Sequence, residues 1–100
     1  NNPVKHATKT DCEKKVLTKI KRKMMQMNVK DYLVEGEKQG LIITCVINED
    51  NAVEVLRIDG YDEEVKAAVT ELLAENPVIC KKAEQGQVFT FKMLLYHMPA

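Results

Sequence analysis

Seven successive residues, Leu41-Ile42-Ile43-Thr44-Cys45-Val46-Ile47, constrain this chain more than any others. The run is rich in β-branched side chains, which suit a pleated surface, and it is too short for a buried helix. Asn48-Glu49-Asp50-Asn51 follows, and Asn and Asp tolerate the left-handed backbone that a tight reversal needs. Residues 52–58 then resume an extended pattern with Val53, Val55, Leu56 and Ile58. Two such segments joined by a short Asn/Asp turn predict an antiparallel hairpin.

The flanks of the hairpin read as helices. From Cys12 to about Met27, apolar Val16, Leu17, Ile20, Met24 and Met27 recur at three- and four-residue steps, the stripe of an amphipathic helix. Thr10 or Asp11 is placed to cap it. Core filling is the favoured use of Met24, Met25 and Met27. After Asp59-Gly60, Asp62 is a second cap, and Glu63 and Glu64 suit the positive end of a helix dipole. Val65, Ala68, Val69, Leu72 and Leu73 then share one face until Asn76-Pro77 stops the helix. Residues 78–87 hold a short extended piece and the turn Glu84-Gln85-Gly86. In residues 88–97, Phe89, Phe91, Met93 and Leu95 alternate with Thr90, Lys92 and Tyr96, the period of a half-buried strand. The predicted order is helix, strand, strand, helix, strand: an α+β fold with a three-stranded antiparallel sheet packed against two helices.

One hundred residues fit one domain. Residues 1–10 are expected to be a flexible lead-in, residues 28–40 a polar connection with Gly36 and Gly40 as breakers, and residues 11–100 the folded unit. No apolar run is long enough to cross a bilayer.

Lys/Arg and Asp/Glu are equal in number, but they are not spread evenly. Residues 1–30 hold nine basic and two acidic groups, and residues 31–100 hold six and thirteen. The basic excess gathers on the first helix as Lys14, Lys15, Lys19, Lys21, Arg22 and Lys23. It reads either as a solvated helix face or as a patch for an anionic partner, nucleic acid or anionic lipid. The lack of aromatics beside it counts against base stacking, so nucleic acid is not expected.

The chemistry-bearing residues are few. Cys12, Cys45 and Cys80 form no C-x-x-C pair and no metal-ligand spacing, so neither a metal nor another cofactor is expected. Cys45 reads as a small buried hydrophobe within its strand. Cys12 and Cys80 lie in polar surroundings outside the apolar segments, and in an exported protein they could be bonded to each other. His6 and His97 could each face a cysteine as a nucleophilic pair, yet nothing in their spacing favours it. Asn48 to Asn51 lack the Gly and distal Glu of a calcium loop. The chain is therefore expected to be non-enzymatic.

From about Tyr32 to Tyr96 the chain resembles the C-terminal domain of TonB-type energy transducers. The resemblance rests on Tyr32 opening a polar stretch that ends at Gly40, the strand 41–47, the turn 48–51 and Val53-Glu54-Val55. It continues with Asp62-Glu63-Glu64-Val65 opening a helix, Gly86 in a turn, and Phe89-Thr90-Phe91 in a last strand. Leu33 and Asn51 stand where that family usually has Pro and Gly. A membrane anchor and a Pro-rich spacer are missing, so the resemblance implies a small exported relative, periplasmic or secreted with its signal peptide removed. It also implies binding by strand addition, in which a sheet edge pairs with an extended peptide of a partner or with a second copy of the chain. Val88, Thr90, Lys92 and Tyr96 of the last strand are the residues expected to flank that partner. The alternative is an anion-binding module using the basic first helix.

Overall fold

The computed structural model describes residues 10–60 and 62–100. The expected lead-in, apart from Thr10, and His6 with it, lie outside the described residues. Helix α1 (Asp11–Gln26) is capped by Thr10. Its hydroxyl accepts from Glu13 N at 3.1 Å, and Glu13 Oε1 accepts from Thr10 N at 3.3 Å. This reciprocal box satisfies two backbone donors that helix geometry leaves without partners. Cys12, Val16, Ile20 and Met24 form its buried stripe, four residues apart. Of the methionine cluster, Met24 is buried and Met27 half-buried, but Met25 lies in solvent.

Strands β1 (Lys38–Ile47) and β2 (Val53–Asp59), helix α2 (Glu63–Ala74) and strand β3 (Val88–Tyr96) complete the order. The architecture is α+β, with a three-stranded antiparallel sheet in the order β2-β1-β3. β1 begins three residues before the apolar run, because Lys38 and Gln39 pair with Tyr96 and Leu95 across the sheet. Residues 28–37 are likewise more than a polar connection. They contain one 3-10 turn (Val29–Asp31), and Leu33, only 3% exposed, joins the core.

Strand alternation divides the sheet into two faces. Leu41, Ile43, Cys45 and Ile47 of β1 point inward with Phe89, Phe91 and Leu95 of β3. They meet the α1 stripe and Val65, Val69 and Leu73 of α2 in one core cluster. Full burial of each such side chain contributes roughly 1.5–3 kcal/mol. Both helices therefore cover one face, and the other face meets solvent.

Three local devices hold this arrangement. The hairpin turn relies on Asn51 at φ 59° and on Asn48, whose Oδ1 accepts from Asp50 N at 2.9 Å and Ala52 N at 3.0 Å. Asp62 caps α2, its Oδ1 accepting from Glu64 N at 2.9 Å and Val65 N at 3.2 Å. At its other end α2 has no basic residue in its last turn, and α1 supplies the missing cation. Lys19 Nζ donates to the carbonyls of Asn76 at 2.6 Å, Leu73 at 3.4 Å and Glu75, while Lys23 Nζ pairs with Glu75 Oε1 at 2.7 Å. An ammonium there satisfies orphan carbonyls and opposes the negative end of the helix dipole.

Cys12 and Cys80 are bonded, with Cα atoms 5.7 Å apart. Their expected place outside the core was wrong, since both are buried, at 7% and 5% exposure, within the main cluster. Cys12 opens the buried stripe of α1, and Cys80 ends a short extended piece that lies against the start of β2. There Val53 N donates to Val78 O at 2.9 Å, Cys80 N donates to Asn51 O at 2.8 Å, and Ala52 bridges Ile79.

Candidate functional site: the free edge of the sheet

The strand order leaves β2 and β3 as edges, and they differ physically. β2 carries a bulge at Leu56, where the register against Thr44 and Cys45 slips by one residue. Its outer side is paired at one end by residues 78–80. Glu54, Arg57 and Asp59 add charge along it, with Arg57 Nε 3.0 Å from Asp59 Oδ2. Bulges, charges and covering segments are the usual means of blunting a sheet edge.

β3 has neither a bulge nor a covering strand among the described residues. Its nine residues pair with β1 in unbroken register, and no described strand lies on its outer side. At the ends of this ladder Ile47 N donates to Gln87 O at 3.0 Å and His97 N donates to Glu37 O at 3.0 Å. Odd-numbered residues therefore turn their main-chain groups toward β1. By antiparallel alternation, the N–H and C=O groups of Val88, Thr90, Lys92, Leu94 and Tyr96 point to the free edge. The side chains of these same residues stand on the solvent face, where Val88 is 53% and Leu94 62% exposed. Lys92 is the one charged residue of the strand, and Lys38 Nζ of β1 lies 5.0 Å from the Tyr96 ring centroid.

Val88, Thr90, Lys92 and Tyr96 thus share one face and one edge. Leu94, between Lys92 and Tyr96, belongs with them, and the sequence reading passed over it although period-two alternation points to it. The basic residues of α1 are divided. Lys19 and Lys23 are engaged with the end of α2, whereas Lys14, Lys15, Lys21 and Arg22 are exposed.

Acid–base and metal chemistry find little here. His97 Nδ1 lies 2.8 Å from Leu33 O, which ties the ring to backbone. Cys45 is a buried free thiol whose pKa is pushed up to about 11, first by burial, the opposite of nucleophile activation. Gln39 is buried in the strand, its amide donating to Glu37 Oε2 at 3.2 Å while its Oε1 has no partner among the described residues. No group of three or more His, Cys, Asp or Glu gathers to hold a metal ion among the described residues. No described helix is long and apolar enough to cross a membrane.

The fold and site define a small α+β domain in which, among the described residues, β3 is the regular and uncovered sheet edge. Compared with protein-family models, curated proteins and solved structures, the chain has no match.

Proposed function

We propose that this domain is a non-enzymatic protein-interaction module of the periplasm or cell surface that binds an extended segment of a partner protein by adding it to β3. The observation that carries the reading is the contrast between the two edges. β2 is bulged and partly covered, while β3 is regular, nine residues long and open among the described residues. An added strand gains affinity from the outward main-chain groups and selectivity from side chains beside Val88, Thr90, Lys92, Leu94 and Tyr96. The resemblance to TonB-type C-terminal domains supports the same mode. The Cys12–Cys80 bond supports an oxidising compartment, since such bonds are uncommon where glutathione keeps thiols reduced.

The test is selection of binders from a displayed library of extended peptides, followed by amide exchange on the complex. Bound peptide should protect the amides of Val88, Thr90, Lys92, Leu94 and Tyr96, which exchange fast in the free protein. Protection of helix amides alone would overturn the reading. Protection of those β3 amides without peptide, together with a doubled mass, would make the second copy of the chain the partner.

A further inference from the structure

Folding brings together two basic segments that are far apart in sequence. Lys81 and Lys82 directly follow Cys80, and the disulfide sets them beside the first turn of α1. A hollow of about 780 Å³ lies there, with Lys15 on the helix side and Lys81 and Lys82 opposite. A second hollow, of about 680 Å³, runs along α1 past Lys14 and Arg22 toward Asn76. Lys15 and Ile79 line both, so the two hollows adjoin along the groove between α1 and residues 76–82.

We propose that this groove docks an acidic protein segment, independently of strand addition at β3. Lys14, Lys15, Arg22, Lys81 and Lys82 face it without a carboxylate partner among the described residues. Asp11 is the one acidic residue lining it among the described residues, at the start of α1 where the helix dipole already favours a negative charge. Both ends of the groove are fixed, one by the Cys12–Cys80 bond and the other by Lys19 and Lys23 on Glu75 and Asn76. A binder therefore does not have to order the walls. Ile79, 45% exposed, supplies an apolar spot in the floor. Among the described residues no aromatic side chain lines either hollow, so unpaired bases find nothing there to stack on. The apolar stripe of α1 is spent in the core, and the site is concave, so a flat bilayer finds no apolar face to bury. A chain of carboxylates around one apolar side chain matches the charge, the shape and Ile79 together.

Fluorescence anisotropy with a labelled Glu-Glu-Glu-Leu-Glu-Glu-Glu peptide on the full chain tests this. Saturable binding is expected, weakening as salt rises from about 50 to about 200 mM. Lys81→Glu with Lys82→Glu should weaken it about tenfold or more, and so should Lys14→Glu with Lys15→Glu. Lys30→Glu, exposed and outside the groove, should leave it nearly unchanged. Absence of binding at low salt would overturn the proposal, as would equal weakening by Lys30→Glu. Tighter binding of single-stranded DNA or phosphatidylglycerol vesicles through the same lysines would also overturn it, since the partner would then be another class of polyanion.

Discussion

Lys19 shows how one side chain can serve two elements. Its ammonium reaches three carbonyls at the end of α2 from a position on α1. Partial burial lowers its pKa, with Lys23 adding to the effect. Lys19→Met keeps the aliphatic stem but orphans those carbonyls, and should destabilise the fold by about 1–3 kcal/mol in urea unfolding. Lys15→Met, at an exposed position, should stay within about 0.5 kcal/mol. Cys45 gives a second test at this scale. Its thiol should resist alkylation at neutral pH in the native protein and react once the chain is unfolded. Because its folded pKa is raised from 9.0 to about 11, the folded state binds the proton more tightly than the unfolded state. That contribution to stability is complete below pH 9.0 and is lost as pH climbs toward about 11. Cys45→Ala should flatten the decline in this window, measured as melting temperature against pH.

Strand β3 turns alternate residues in opposite directions, and proline separates their roles. Thr90→Pro removes an outward N–H and leaves the β1 ladder whole, so it should abolish peptide addition while the melting temperature shifts by only a few degrees. Phe91→Pro removes a ladder bond and a buried ring, and should cost about 3–5 kcal/mol from the lost packing alone. Equal peptide binding by wild type and Thr90→Pro would remove strand addition at this edge. The same strand shows what was legible at the level of elements. The alternation of Phe89, Phe91, Met93 and Leu95 with Thr90, Lys92 and Tyr96 points to its inward face from sequence, and the burial pattern follows it although Val88 and Leu94 are apolar on the outer face. The extension of β1 to Lys38 and Gln39 had no local signal, because polar residues enter a strand there only through pairing with Tyr96 and Leu95. The bulge at Leu56 was hidden for a similar reason. It arises from register between strands, and in the sequence Leu56 is only one of the apolar residues of an extended segment.

Across the whole molecule, the Cys12–Cys80 bond links residues 68 apart in sequence. Constraining so long a loop in the unfolded chain stabilises the fold by about 4 kcal/mol. Cys12→Ser with Cys80→Ser should lose about that amount in denaturant unfolding, with Cys45 left as the single thiol. Protein isolated from its native host without reductant and then unfolded should show one titratable thiol per chain. Three would withdraw the support that the bond gives to an oxidising compartment. The bond also joins the start of α1 to the piece that covers one end of β2.

Local sequence determined the elements of this protein: the β-branched run 41–47, the Asn turn, the caps at Thr10 and Asp62, and the stripes of both helices. Each depends on neighbours within a few residues, where spacing and side-chain chemistry are sufficient. Tertiary structure alone decided which edge is open, where Cys12 and Cys80 lie, and which lysines are spent on α2. It also decided that Lys81 and Lys82 stand beside α1. Those outcomes depend on contacts between residues tens of positions apart, which no local periodicity encodes.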